Sequence, residues 1–367
     1  MKPTRSRRPP PHRGSGSGFV LVIVLALLVV LTLLAAAAAA SSSRAVEEAQ
    51  ADSDRFSGEA DMRSTQDTVL FILATHHRNI AGVAALPGPP ISLDALEEDT
   101  DGSSALPTGR DIRLDGTAYT GLGDAQFALQ DDGGLLSPNW APPTLLQAFY
   151  TSRGVPATEW ANLDAKRLDY QDPDSLRRLG GAEAEQYLAV GRPPPPNRPV
   201  TTPLEFRRIM QWDEMLAPLD DDAILRMFSS HRGGAINLNS APPEVLSLIP
   251  GMDIEHAKRL AMLRKDQPIV SIWQARESFP IAPFMEEMLT LFPSRTGNLI
   301  LWNRHAGVKK LAHWSMTPYA VGGPPWQIDY EVILSRGNQP DDAVAEASAA
   351  PLLAETDDLD RDRDPRP

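Results

Sequence analysis

The sequence predicts an α+β chain. It has a long N-terminal helix whose first half is transmembrane, a small antiparallel sheet on which the second half packs, and a large all-α insertion. Three observations predict this. An apolar run from Phe19 to Ala40 leads into a stretch without proline that reaches residue 80. Segments with alternating apolar residues stand on either side of a helical block, near residues 111–130 and 299–335. The block between them, about 160 residues, carries helical patterns and polyproline connectors.

The elements follow in order. Residues 1–18 hold Lys2, Arg5, Arg7, Arg8 and Arg13 and no acid, whereas the whole chain of 367 residues has 35 Lys+Arg against 48 Asp+Glu and a net charge of -13. A basic head therefore precedes an acidic body. Phe19–Ala40 has Thr32 as its one conventional polar side chain, and 22 helical residues would cover about 33 Å, enough for a bilayer core of roughly 30 Å. The positive flank stays cytoplasmic and the body crosses. A plain anchor, and a removable signal ending in the Ala35–Ala40 run, both fit this segment.

Residues 44–80 read as helix, with apolar Val46, Phe56, Val69, Leu70, Ile72 and Leu73. Gly58 is a tolerable interruption, costing about 1 kcal/mol relative to Ala. Short extended pieces are expected at Asp111–Leu114 and Thr117–Thr120, and a strand at Phe127–Gln130 runs into the turn signal Asp131-Asp132-Gly133-Gly134. Helices are expected at Pro143–Ser152, Pro156–Leu163, Asp174–Leu179, Ala182–Ala189, Thr202–Trp212, Asp220–Ser229, Ala241–Ile249, Asp253–Leu263, Ile272–Ser278 and Phe284–Leu291. Strands return at Leu299–Asn303, Ala312–Tyr319 and Gln327–Ser335. The expected organisation is a leader at 1–18, the membrane half of the helix at 19–40, and the rest of the helix with the first part of the head at 41–126. The insertion then occupies 127–292, the closing strands 293–337 and a disordered acidic tail 338–367.

Composition excludes several functions. The chain has no cysteine, so disulfides, thiolate zinc sites and cysteine nucleophiles are out. Its acidity argues against nucleic acid, whose phosphates require clustered Lys/Arg. No H-E-x-x-H, phosphate loop, dinucleotide fingerprint or G-x-S-x-G elbow is present, so no catalytic residue is assigned. Asp169, Asp172, Asp174, Glu183 and Glu185 are dense enough to consider a hard cation, which takes 6–8 oxygen ligands. They read equally as an Asp-Pro-Asp turn that caps the next helix.

Ser240 is a plausible N-cap, Pro242 and Pro243 fall in a first helical turn, Pro250-Gly251 closes that helix, and Asp253 caps the next. This is a helix-hairpin-helix pattern of the SAM-like kind, and membrane-anchored DNA binding is the alternative function it raises. Against it, the hairpin reads Gly251-Met252-Asp253, with a carboxylate where a phosphate would sit.

Three sets of residues carry a family resemblance. The glycine-ended basic leader, then Phe19 and an apolar helix, resembles the class III signal of type IV pilins and pseudopilins. The runs Asp169-Tyr170-Gln171-Asp172-Pro173-Asp174 with Gly180-Gly181-Ala182-Glu183, and Asn237-Leu238-Asn239-Ser240-Ala241-Pro242-Pro243-Glu244-Val245-Leu246, resemble the minor pseudopilin K family of type II secretion systems. Phe127–Asp131 through Asn139 is similar to a further, looser motif of that family. The resemblance extends over roughly residues 14–335 and is closest over 127–265. It implies a pilin-like fold, cleavage by prepilin peptidase between Gly18 and Phe19, and N-methylation of Phe19. Most pilins have Glu at the fifth mature position; here it is Ile23, which suits a subunit with nobody ahead of it. The implied role is structural: a tip subunit in the inner membrane with a periplasmic head, assembled with I-type and J-type minor pseudopilins and the major pseudopilin to support export of folded cargo. Ca²⁺ is the implied cofactor, with Asp172, Asp174 and Glu183 as first ligands. Asn237, Asn239, Ala241, Pro242 and Leu246 are the implied structural motif, and no nucleic acid is expected as partner.

Overall fold

The computed structural model describes residues 17–85, 106–109, 111–320 and 322–334. The leader up to residue 16 and the tail expected at 338–367 lie outside the described residues. Two compact units divide the chain, one ending at Phe56 and the other beginning at Ser57. Helix α1 (Ser17–Thr75) is continuous for 59 residues and belongs to both.

In the first unit, α1 has its apolar side chains exposed throughout, from Phe19 at 75% to Leu34 at 61%. The helix is long and apolar enough to cross a membrane.

The second unit begins where α1 acquires a buried face. Gly58, Met62, Thr65, Gln66, Val69, Leu70 and Leu73 are buried and recur at three- and four-residue spacing, so they share one side of the helix. They pack on a five-stranded antiparallel sheet. Its strands are β4 (Asp115–Thr120), β5 (Ala125–Asp131), β8 (Thr296–Asn303), β9 (Lys309–Met316) and β10 (Trp326–Leu334), in the order β10-β9-β8-β5-β4. Phe127 pairs with Leu301 and Leu129 with Leu299. Those four, with Tyr119 and Trp314, form one core with Met62, Val69, Leu70 and Leu73. Between helix and sheet lies a small side sheet of β1 (Arg78–Asn79), β2 (Gly82–Ala84) and β3 (Asp111–Ile112) in sequence.

The insertion opens after β5 and closes before β8. Asp131 and Gly297 are directly paired across those strands, so the whole helical block is an excursion between two neighbouring strands. The boundary expected at 127 falls inside β5, because Phe127 and Leu129 belong to the sheet that α1 covers. The excursion holds α2 (Pro143–Ser152), α3 (Trp160–Asp169), α4 (Ala184–Ala189), α5 (Trp212–Leu216), α6 (Asp221–Met227), α7 (Pro243–Leu246), α8 (Ile254–Asp266) and α9 (Ile272–Ser278). A short parallel pair, β6 (Ile236–Asn237) and β7 (Leu289–Thr290), joins the middle of the excursion to its C-terminal end.

It has a core of its own, built from Phe149, Tyr150, Phe206, Trp212, Phe228 and Leu246 among others. Phe149 and Phe228 meet edge to face with ring centroids 5.1 Å apart, and Phe206 stacks on Trp212 at 5.5 Å. A smaller cluster joins insertion to sheet: Leu225 of α6 packs with Ala128, Ile300, Leu311 and Leu334 on the sheet face away from α1.

Several expected helices change form. Asp174–Leu179 is an irregular loop, because Asp169 draws in both the backbone N–H and the guanidinium of Arg178. Thr202–Trp212 is a 3₁₀ turn at Pro203–Arg208 followed by α5, and Phe284–Leu291 is a 3₁₀ turn at Pro283–Met288 followed by β7. Ala241–Ile249 shortens to the four residues of α7. The expected N-cap Ser240 gives its hydroxyl instead to buried Asp131, at 2.7 Å. Asp220 and Asp253 do cap α6 and α8, accepting from Ala223 N and His256 N.

Candidate functional site

The junction Gly18–Phe19 lies in the first turn of α1, which begins at Ser17. Phe19 and Ile23 are both exposed, as is the rest of the apolar stretch around them. No carboxylate stands in that stretch, so nothing charged interrupts its apolar surface.

The second candidate is the carboxylate loop after α3. Asp169, the last residue of that helix, is fully buried. Its Oδ1 accepts from Arg178 Nη1 at 2.7 Å, and its Oδ2 accepts from Arg178 N at 3.2 Å. The same Nη1 donates to Asp172 Oδ2. Asp174 Oδ1 accepts from Leu176 N at 2.8 Å, an Asx turn that starts the loop.

Glu183 stands at the N-cap of α4 and is 5% exposed. Gln186 Oε1 accepts from Glu183 N at 2.9 Å, yet both carboxylate oxygens of Glu183 are buried without a hydrogen-bond partner, and so is Asp172 Oδ1. Burial pushes the Glu183 carboxyl above its ordinary range, and the charges of Asp169, Asp172 and Asp174 push it further than Arg178 pulls it back. Among the described residues, no three His, Asp or Glu side chains converge as a metal-binding group. Arg178 is paired with two of these carboxylates, Asp169 and Asp172. Hard oxygens are the ligand type that a calcium-like ion takes, but among the described residues these do not converge as one ligand set. Asp172, Asp174 and Glu183 all lie between the end of α3 and the start of α4, and Arg178 pairs Asp172 with Asp169, which the first choice of ligands omitted.

The asparagine motif forms a buried polar seam between insertion and sheet. Asn237 Nδ2 donates to Asp131 Oδ2 at 2.9 Å, and its Oδ1 accepts from Asn239 N at 2.9 Å. Asn239 works on the insertion itself: its Nδ2 donates to Ile269 O and its Oδ1 accepts from Ile269 N, pinning the segment that follows α8. Ala241 and Leu246 are fully buried in the insertion core, and Pro242 opens α7. Asp131 also accepts from Ser240 Oγ, Ser294 N and Gly133 N. Burial still dominates and raises its pKa.

A second tie runs from α8 to β4. Arg264, 2% exposed, donates to the carbonyls of Leu238 and Ala241 at 2.7 Å, and its Nε stands 3.7 Å from Asp115 Oδ2. Arg113 Nη2 donates to the same Asp115 oxygen at 2.6 Å. Burial pulls the guanidinium of Arg264 down to about 10. Burial alone would raise Asp115, but the flanking arginines outweigh it and hold its carboxyl below the usual range.

The hairpin between α7 and α8 is closed to phosphate. Gly251 has φ +96°, and a Cβ there would stand 1.9 Å from Pro280 O, so the chain at Pro280 covers the turn. Ala282 N donates to Pro250 O at 2.9 Å, Met252 is buried, and Asp253 takes the amide of His256. Met252 N, which could face an anion, donates to Ile249 O at 2.9 Å, and the turn sits beside a carboxylate.

One buried group lay outside every motif. His313 of β9 has Nε2 2.8 Å from Asp132 Oδ2 and Nδ1 2.8 Å from Asp329 Oδ2, and its ring stacks on Tyr330 at 4.8 Å. Burial lowers its pKa, but the two carboxylates outweigh that and lift it to about 9. Asp132 lies in the expected turn signal. Its partner is distant in sequence, so no local pattern could have paired them.

No family model matches the chain, and no curated protein does. Among solved structures, the chain is similar to one in the GspK–GspI–GspJ complex of the type 2 secretion system of enterotoxigenic Escherichia coli. The identity is 15% and the TM-score 0.46, over 79% of this chain and 99% of that chain.

Proposed function

We propose that the chain is a structural minor pseudopilin of the K type, sitting at the tip of a pseudopilus and assembling with I-type and J-type siblings above the major pseudopilin. One observation carries the reading. A single helix offers an exposed apolar surface over its first stretch, then becomes the core of an antiparallel sheet over its second. A plain anchor has no need of that continuity. A subunit whose apolar rod must transmit load from sibling rods to its own head does need it, because a helix without proline or a break resists bending. The asparagine and carboxylate motifs of the resemblance support the K type in particular, since they build and stiffen the insertion.

In this reading the action is assembly and steric capping, without a chemical step. The insertion is attached at both ends to adjacent strands and clamped by the Asp131–Asn237 and Asp115–Arg264 ties, so it moves with the sheet as one piece. Such a block would prevent a further subunit from docking above it. Prepilin peptidase would cut between Gly18 and Phe19 at the inner membrane, and the head would lie in the periplasm, where folded cargo is exported. Calcium belongs to the same proposal: Asp172, Asp174 and Glu183, with Asp169, would hold it, and it would supply the positive charge that these buried oxygens lack.

The test is co-expression of the full chain with prepilin peptidase and the I-type and J-type subunits of one secretion system. The mature chain should begin at Phe19, and the three subunits should co-purify from detergent. A start at Met1 or Ser41, or a chain that stays solitary, would overturn the reading.

A further inference from the structure

The helical insertion hangs on a neck of two chain crossings, one leaving β5 at Asp131 and one entering β8 at Thr296. Thr296 Oγ1 donates to Asp132 Oδ2 at 2.7 Å and Ser294 N to Asp131 Oδ1 at 2.7 Å, so the crossings are bonded to each other. Asp132 is buried, and its Oδ1 has no hydrogen-bond partner. Among the described residues its charge is met by one cation, the ring of His313 on β9, whose Nε2 stands 2.8 Å from the same Oδ2.

The other side of that ring belongs to the edge of the sheet. Among the described residues β10 pairs only with β9, and it has a bulge between Ile328 and Tyr330. Tyr330 is paired with His313 and stacks on it at 4.8 Å. Successive residues of a regular strand face opposite ways, but a bulge sets two residues against one. Asp329 thereby joins Tyr330 over His313, with Oδ2 2.8 Å from Nδ1. Ser315 Oγ and Gln327 Nε2 donate to the same carboxylate. The contacts form one line, from the neck at Thr296 through Asp132, His313 and Asp329 to the outer strand.

A neutral imidazole has one N–H and one lone pair, whereas an imidazolium has two N–H groups. Only the protonated ring donates to both carboxylates; a neutral one turns its lone pair on one of them. The two ends are unequal, since the Asp132 side chain is 1% exposed and that of Asp329 is 27%. Water can replace the ring at Asp329, while buried Asp132 has no such substitute, so Asp329 is the end that gives way. We propose that protonated His313 is a latch between the neck of the insertion and the edge strand β10, and that it opens at Asp329. The proton carries the coupling. When Asp329 is withdrawn, one carboxylate remains to hold the proton. When the proton leaves, Asp132 keeps a hydrogen bond but loses its counter-charge, and the neck loosens. The two large cores stay folded, because neither contains His313, Asp132 or Asp329.

The experiment follows hydrogen exchange by mass spectrometry in the full-length chain in detergent, unaltered and as Asp329→Asn, His313→Gln and the double variant. The pH is about 8, between the ordinary histidine value of 6.5 and the value of about 9 for His313. Asp329→Asn alters a partly exposed side chain, so it tests the latch even where His313→Gln does not fold. It should speed exchange about ten-fold over residues 131–137 and 291–297, as the loss of one charged hydrogen bond would, and leave α2 and α5 as they were. NMR should show His313 titrating near about 9 in the unaltered chain and lower in Asp329→Asn. His313→Gln should loosen the neck at least as far, and the double variant no further than His313→Gln. Faster exchange in β10 alone, or equally throughout the insertion, overturns the latch. A double variant in which the two effects add, or a His313 that titrates alike with and without Asp329, overturns it too.

Discussion

His313 shows how far a single residue can be from its own sequence context. It is a ring in the middle of a strand, held as a cation at neutral pH by Asp132 from the start of the insertion and Asp329 from the edge strand. Its ordinary pKa of 6.5 is lifted to about 9 in the folded chain, so the folded state holds the proton more tightly. The stability this contributes is complete below pH 6.5 and is lost as pH rises through about 9. Two and a half pH units correspond to about 3 kcal/mol. Thermal melts should therefore fall steadily between pH 6.5 and 9.5, and His313→Gln should be less stable at pH 6.5 but nearly flat over that range. An unchanged slope in the variant would remove His313 as the cause. The asparagine motif is the opposite case. Its importance was legible only through the family resemblance that the motif carries. What its two amides bond to was not, because Asp131 and Ile269 are reached only through the fold.

At the scale of elements, α1 was legible as a long helix from its apolarity and the absence of proline, although the expected stretch ran to residue 80 and the helix ends at Thr75. Gly58 was expected to be a mild flaw in it. Instead it marks a close approach: a Cβ there would lie 2.8 Å from Ala306 N and 2.9 Å from Asn303 Oδ1. The helix can rest on the turn between β8 and β9 only because that position has no side chain. Gly58→Val should lower stability by about 1–3 kcal/mol, against the slight gain that helix propensity alone would give. A melt at or above that of the unaltered chain would refute the packing argument.

The loop Asp174–Leu179 shows why short elements were harder. Its residues accept a helix locally, but Asp169 captures Arg178 in both backbone and side chain, and six residues cannot nucleate a helix against that competition. The 3₁₀ turns at Pro203–Arg208 and Pro283–Met288 have a similar cause, each starting on a proline and being cut short by packing of the insertion core.

At the scale of the whole molecule, two hydrophobic cores lie in the second unit, one under α1 and one within the insertion. Because Asp131 and Gly297 face each other across β5 and β8, replacing residues 132–296 with a two-residue Asn-Gly turn should close the sheet as an ordinary hairpin. That shortened chain should keep its strand signal and melt earlier. The earlier melt follows from losing Leu225 as the cover of the outer sheet face and Arg264 as the partner of Asp115. Loss of all cooperative unfolding would show instead that the sheet cannot stand on its own core.

Composition and periodicity were enough to establish the long helix, its apolar first stretch, the flanking strands and the helical character of what lies between. These are local properties, written in hydrophobic spacing and in where proline is absent. Which strands became neighbours, which carboxylates Arg178 pairs with, and how the insertion is bolted to the sheet came only with folding. The last of these depends on contacts between residues a hundred or more positions apart, such as Asp131 with Asn237 and Arg264 with Asp115. Burial gives such pairs their strength, and burial is a property that no stretch of chain has until the rest has closed around it.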